Sequence, residues 1–216
     1  MLSVIFDLDG TLVDSEPNPY ESGRRALERH GAPESNREPR EQHSPLVDIG
    51  TRETPDNREE RYGPRAHPGA ARAGTEAFPE MRRFVERLHA DGVPTAVASG
   101  SSREAIETVL AGTGLEALLG VVVSAEEVAH GKPDPDVFLE AARRLGADPA
   151  DCVVVEDAAP GAEAARAAGM ECLAIPSAAG AAGHPAFASA GLMFRGGPGA
   201  FDVETAYEWL GEHRAA

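Results

Sequence analysis

Lysine is nearly missing from this chain of 216 residues: every one of its 20 basic residues is an arginine except Lys132. Basic charge as a whole is scarce, 20 basic against 36 acidic residues, for a formal net charge of -16. So acidic a chain argues against a nucleic acid or an anionic membrane as its natural partner, because both are met by a positive face. A phosphorylated ligand would have to find local positive charge instead. Long apolar runs are absent, and no basic segment precedes the short apolar run at the N-terminus, so neither a membrane span nor a leader is expected. A cytoplasmic location and a small acidic monomer follow as expectations. Cysteine is scarce too: Cys152 and Cys172 each open an apolar run with no metal-ligand spacing around them. Buried free thiols are expected there, rather than a disulfide or a metal site.

What is present is organised around the first stretch, Leu2-Ser3-Val4-Ile5-Phe6-Asp7-Leu8-Asp9-Gly10-Thr11-Leu12. An apolar, β-branched run that stops at an acidic turn reads as a buried strand delivering its carboxyl end to a polar site. Asp7 and Asp9, two apart, would face opposite ways on a continuing strand, but Gly10 lets the chain turn at once and bring both carboxylates to one small volume. At about 4 Å two such charges repel by roughly 4 kcal/mol at an effective dielectric near 20, so a cation belongs beside them. A hard divalent ion such as Mg²⁺ suits oxygen ligands. The alternative is an ordinary surface turn after an edge strand.

Length allows one domain with an insert, or a large and a small domain. Residues 20–30 suit a helix with Ala26 and Leu27 inside, whereas residues 31–76 are broken by prolines and poor in large apolar residues. Such a stretch buries little surface, and is either a loosely ordered insert or a lid over Asp7. Order resumes at Pro79, which suits a helix start, with Met81, Phe84, Val85 and Leu88 at helical spacing before Gly92. A strand over 93–98 then ends in Ser99-Gly100-Ser101-Ser102, a helix covers about 103–110 and a strand 121–123. Lys132 follows within Gly131-Lys132-Pro133-Asp134-Pro135, then a helix over about 135–145. The strand Cys152-Val153-Val154-Val155 runs into Glu156-Asp157, an alanine-rich helix ends at Gly169, and a strand over 171–175 follows. A short strand at 192–194 and a helix near 204–210 complete the chain. Strands alternating with helices imply an α/β fold with a doubly wound parallel sheet, whose ligands bind beyond the carboxyl ends of the strands. Asp7, Asp9, Ser99, Glu156 and Asp157 all stand at such ends.

Each feature has a plainer explanation: Ser99 as a helix N-cap, Lys132 as an exposed loop charge, Glu156 and Asp157 as caps of the helix after Pro160. Their occurrence in one order along one sheet edge is harder to explain separately. In combination they resemble the haloacid dehalogenase superfamily, in the branch that contains phosphoglycolate phosphatases and β-phosphoglucomutase. Asp7-Leu8-Asp9-Gly10-Thr11, Ser99, Lys132 in its Gly-Lys-Pro-Asp-Pro setting, and Glu156-Asp157 with Gly161 and Ala167-Ala168-Gly169-Met170 match that superfamily's four motifs in order.

The resemblance implies a Rossmann-like catalytic core over residues 1–14 and 79–216, and an inserted helical cap over residues 15–78. It implies that Asp7 is the nucleophile that takes the phosphoryl group, and that Asp9 protonates the leaving oxygen and then activates water. It implies Mg²⁺ held by Asp7, Asp157 and the Asp9 carbonyl, with Glu156 behind them. Lys132 then offsets phosphate charge, with Ser99 and the amides near it, Gly100 among them, binding phosphate. Arg52 in Gly-Thr-Arg-Glu-Thr resembles a cap segment that reaches substrate, although the cap here departs from the leucine-rich family pattern. The expected activity is hydrolysis of a small phosphorylated metabolite, a phosphosugar or a phosphoglycolate-like acid. Alternatives are a phosphosugar mutase and a binding protein with a degenerate cap.

Overall fold

The computed structural model describes residues 1–15, 75–177 and 181–214, all within one compact unit. The helix expected over 20–30, Arg52, and nearly all of the proline-broken run lie outside the described residues.

The core is a six-stranded sheet, every pairing in it parallel. Its strands are β1 (Ser3–Phe6), β4 (Thr95–Ser99), β5 (Val121–Ser124), β6 (Cys152–Glu156), β7 (Glu171–Ala174) and β8 (Leu192–Met193), in the order β5-β4-β1-β6-β7-β8. The first strand therefore sits in the middle, with Ile5 opposite Ala96 on one side and Val154 on the other. All four residues of β1 are buried. A strand covered on both faces needs apolar residues of both parities, and Val4 and Phe6 face one core while Ile5 faces the other.

Helices α1 (Pro79–Ala90), α2 (Arg103–Thr113) and α5 (Val203–Arg214) cover the first face; α3 (Asp136–Leu145) and α4 (Ala159–Ala167) cover the second. In α1 the proline occupies the first turn and Met81, Phe84, Val85 and Leu88 are buried, at the expected spacing. Gly146, at φ 69°, ends α3 in the left-handed conformation that spares a Cβ clash. The alanines of α4 let its backbone lie close against the sheet, with Gly161, Ala162, Ala164 and Ala165 buried. Both cysteines are free and buried; burial pushes the Cys152 thiol up to about 11 and the Cys172 thiol up to about 12, so neither is a nucleophile near neutral pH.

Two features bear on the sequence reading, the first by removing the plainer explanation of Ser99 and the second by adding strands that were not expected. The N-cap of α2 is Ser102, whose side chain accepts from the Ala105 amide, and not Ser99, which ends β4. A pair of two-residue strands, β2 (Val13–Asp14) and β3 (Glu76–Ala77), runs antiparallel outside the main sheet. Two residues are too short for a periodic signal, and their partners are far apart in sequence. The chain thus leaves the core at Asp14 and re-enters it at Glu76 through paired strands.

Phe84 lies edge-on to Phe6 at 6.0 Å and to Phe201 at 5.3 Å between ring centroids, joining β1 to the C-terminal segment. Phe84→Ala leaves a cavity there that this packed face cannot refill. The expected loss is about 3–5 kcal/mol, read as a lower urea midpoint with an unchanged denaturant slope.

Candidate active site

The site lies at the carboxyl ends of β1, β4 and β6, which are neighbours at the centre of the sheet. Asp7 follows β1 directly, and its amide donates to the Val155 carbonyl at 3.0 Å, extending the β1–β6 pairing by one residue. Its carboxylate is thereby fixed by backbone, not merely by a loop. The chain then turns: the Gly10 amide donates to the Val13 carbonyl at 2.9 Å, and the Leu12 and Val13 amides both donate to the Leu8 carbonyl, at 3.0 and 3.1 Å. Leu8 and Leu12 are buried beneath this turn, anchoring it to the core. Gly10 has φ 78°, and a Cβ there would fall 2.4 Å from Asp157 Oδ2. Both its conformation and the approach of Asp157 require glycine at this position.

Lys132 reaches in from the segment before α3. Its ammonium donates to Asp7 Oδ1 at 2.5 Å and to Glu156 Oε2 at 2.7 Å, with the Phe138 ring centroid 4.7 Å away. Only 12% of the lysine side chain and 1% of the glutamate side chain are exposed. Glu156, the last residue of β6, also accepts from the Ala158 amide at 3.0 Å. Gly161 in α4 makes room for it, since a Cβ there would lie 1.9 Å from Glu156 Oε2. Asp157 accepts from Thr11 Oγ1 at 3.3 Å and from Ser177 Oγ at 2.8 Å.

Ser99, buried at the end of β4, accepts from the Ser101 amide at 3.0 Å; Gly100 beside it is exposed, with open space where a Cβ would go. Asp9 is tied to the same turn, accepting from Ser101 Oγ at 2.8 Å. Asp7, Glu156, Asp157 and Lys132 thus form one cluster, and Ser101 joins Asp9 to Ser99. Of the three explanations that treated Ser99, Lys132 and Glu156 as unrelated local features, the first is displaced by Ser102 and the second by the burial of Lys132. For Glu156 the Ala158 amide is a genuine N-terminal contact, but the residue holds the lysine as well. Thr11, Ser101 and Ser177 went unassigned in the sequence. Thr11 belongs to the first motif and Ser101 lies two residues after Ser99, a signal that could have found them; Ser177 lies beyond β7 and carries none.

Electrostatically the cluster is overloaded with negative charge. Burial, then repulsion from Glu156, raises the Asp7 carboxyl to about 7 against the pull of Lys132. Burial, then repulsion from Asp7, raises Asp157 to about 6. Burial raises Glu156 also. Burial opposes the Lys132 ammonium, but Asp7 and Glu156 outweigh it and drive its pKa upward. Among the described residues one cation faces three carboxylates, whose oxygens come within 4.8 Å of one another at Asp7, Glu156 and Asp157. That donor set, all oxygen and in surplus negative charge, fits a hard divalent ion.

A twisted parallel sheet with an acidic, lysine-braced pocket at its carboxyl edge defines an α/β enzyme of the doubly wound class. Residues 1–169 match the family described as haloacid dehalogenase-like hydrolase, and the chain belongs to that family. It is similar to the bifunctional riboflavin kinase/FMN phosphatase of Arabidopsis thaliana, 37% identical over 81% of this chain and 48% of that one, so it spans about half of that relative. It is similar to the fructose-1-phosphate phosphatase of Escherichia coli K12, 35% identical over 80% of this chain and 95% of that one. Among solved structures it resembles a HAD family hydrolase from Deinococcus radiodurans R1 with bound phosphate and sodium, at 25% identity and a TM-score of 0.66, over 98% of this chain and 96% of that one. Within its family the chain sits with phosphatases, enzymes that hydrolyse phosphoric monoesters.

Two outcomes follow from this geometry. Gly161→Ala drives a methyl group into the Glu156 carboxylate and should cost about 1–3 kcal/mol of stability. Combining it with Glu156→Asp, which withdraws the carboxylate, should recover part of the lost Tm; additive losses would show that the two residues do not compete for space.

The raised acids set the sign of a pH dependence. Asp7 titrates near 3.8 when unfolded and at about 7 when folded, so between those values the folded state holds the extra proton. Stability without metal therefore falls as pH rises through that window, with no penalty below it and the full penalty above it. Wild type should lose Tm relative to Asp7→Asn between about pH 4 and pH 7, and Mg²⁺ should restore more Tm at the upper end, where fewer protons compete for the ligands.

Proposed function

We propose that this chain is a Mg²⁺-dependent phosphatase of small phosphorylated metabolites, phosphosugars or phosphoglycolate-like acids, working through an aspartyl phosphate on Asp7. The observation that carries this reading is the buried Lys132 bridging Asp7 and Glu156 beside Asp157, at the edge where the sheet's strands end. A protein that only bound an anion would gain nothing from three crowded carboxylates, which repel one.

In the first step an Asp7 carboxylate oxygen attacks phosphorus, the bond from phosphorus to the ester oxygen breaks, and Asp9 gives that oxygen its proton. In the second, Asp9 takes a proton from water as the water oxygen attacks phosphorus, and the bond to Asp7 breaks to release inorganic phosphate. A carboxylate nucleophile divides one difficult displacement into two easier ones, and a positioned acid and base serves both. Lys132, held at Asp7 Oδ1, offsets charge on the transferring oxygens. Ser99 Oγ and the Gly100 amide bind the phosphate. Asp7, Asp157 and the Asp9 carbonyl would hold Mg²⁺, with Glu156 behind them, and the ion would supply Lewis-acid stabilisation of the phosphoryl charge.

The substrate class is supported by the E. coli relative, named for fructose 1-phosphate. The insert that follows Ser15 supplies the cap in this reading, with Arg52 as a substrate contact; of the expected span 15–78, Ser15 and residues 75–78 lie in the core unit instead. Among the described residues no helix is long and apolar enough to cross a membrane; a cytoplasmic monomer is part of the same proposal.

The test is phosphate release from p-nitrophenyl phosphate and a panel of sugar phosphates and phosphoglycolate, with Mg²⁺ or EDTA. Wild type should need Mg²⁺, and Asp7→Asn should lose activity by on the order of 10⁴-fold or more, the scale seen when a nucleophile is removed. Isomerisation of a sugar phosphate without phosphate release would replace the phosphatase with a mutase, and a wild type inactive across the panel would overturn the reading.

A further inference from the structure

Ser101 joins residues from three strand ends. Its hydroxyl donates to Asp9 Oδ2 at 2.8 Å, its amide donates to Ser99 Oγ at 3.0 Å, and its carbonyl accepts from Ser124 Oγ at 2.7 Å. Every polar group of the residue is therefore committed. Ser124, at the end of β5, is fully buried; its hydroxyl accepts from the Glu126 amide at 3.1 Å and its amide donates to Glu127 Oε1 at 2.9 Å. Glu127 is held in turn by Arg103 at 3.1 Å and Arg144 at 2.7 Å. A continuous set of fixed partners runs from surface ion pairs through Ser124 and Ser101 to Asp9.

A serine hydroxyl turns freely about its bond, so its aim depends on how firmly its backbone is held. Here the backbone is pinned on both sides, by Ser99 and by Ser124. We propose that Ser101 is a positioning residue that orients the Asp9 carboxyl toward the leaving oxygen, an inference that rests on Asp9 being the acid of the first step. With Oδ2 held by Ser101, Oδ1 is the oxygen left to carry the proton to the ester. The bond from phosphorus to the ester oxygen breaks as that proton is delivered, and the alcohol leaves neutral.

The value of such a proton depends on what leaves. A strongly basic alkoxide needs it; p-nitrophenolate, stable as an anion, scarcely does. Losing the aim of Asp9 should therefore penalise alkyl phosphates selectively, a signature that damage to the phosphate-binding turn would not produce. Ser101→Ala keeps the backbone amide that Ser99 uses, so the two roles separate.

The experiment compares kcat/KM for glycerol 2-phosphate and p-nitrophenyl phosphate, with Mg²⁺, in wild type, Ser101→Ala, Ser101→Thr and Asp9→Asn. This ratio reports the steps through departure of the leaving group, so slow hydrolysis of the phospho-enzyme does not mask the effect. Asp9→Asn should lose about 10²- to 10⁴-fold on the alkyl ester and much less on the aryl ester. Ser101→Ala should lose about 10-fold on the alkyl ester, the worth of one hydrogen bond to a charged group, and within about 2-fold on the aryl ester. Ser101→Thr, which keeps the hydroxyl, should restore the alkyl rate. If Ser101→Ala does not fold, as judged by circular dichroism, Ser101→Cys takes its place, because a thiol donates weakly. Equal loss on both esters, or loss on neither, would overturn the role of Ser101 while leaving Asp9 as the acid. An Asp9→Asn variant with no preference between the esters would instead remove the acid role of Asp9, and the proposal with it.

Discussion

Everything at the carboxyl edge of the sheet depends on one buried ammonium. Taking Lys132, Asp7 and Glu156 out of water costs several kcal/mol for each ion, and the arrangement survives only because each charge has close partners. Arginine, which supplies every other basic side chain here, could not substitute. Its guanidinium is a broad planar fork, whereas two carboxylates at 2.5 and 2.7 Å from one atom call for a compact point charge. The packing around the lysine serves this demand: Phe138 closes over the ammonium, Gly161 withholds a methyl group from Glu156, and the Ala158 amide takes the other oxygen of that carboxylate.

This cluster is also why the central strand sits where it does. A carboxylate on an edge strand would find a partner on one side and water on the other. With β4 and β6 flanking β1, Asp7 emerges between the Ser99 turn and the Glu156-Asp157 corner, and its position is held by the backbone bond to Val155. The apolar residues of β1 are thus functional at one remove. Val4, Ile5 and Phe6 fill the cores on both faces, so the strand cannot slide, and the residue after it inherits that rigidity.

The parts of this site that could be read from the sequence are those whose physics is local. A β-branched run ending at Asp7, the Gly10 turn, an isolated lysine before a helix and a valine strand ending in Glu156-Asp157 each announce themselves over a few residues. So do the helices, because their buried positions recur at helical spacing, as in Met81, Phe84, Val85 and Leu88. The hydroxyl groups did not, because nothing in a serine's neighbours states which carboxylate it will meet. Ser101 and Ser102 are consecutive, yet one orients Asp9 and the other caps a helix. Ser177 meets Asp157 only through the pairing of β6 with β7, and the two-residue strands at Val13 and Glu76 are set by chain closure.

The acidity of the chain bears on what the site must supply. At a net charge of -16 the molecule repels a phosphate monoester at long range, but at physiological salt the Debye length is about 8 Å, so most of that charge is not felt in the pocket. The repulsion that remains is local, from Asp7, Glu156 and Asp157, and Lys132 alone cannot cancel it, since its ammonium is already shared between two of them. The raised pKa values of Asp7 and Asp157 express the same imbalance: without further positive charge the cluster takes up protons. A protonated Asp7 is no nucleophile. In the proposed mechanism a divalent cation among these oxygens would do two things at once, ionising the Asp7 carboxylate and admitting an anionic substrate beside it. In that proposal the excess of negative charge ties the chemistry of this edge to metal occupancy more tightly than phosphate binding alone would.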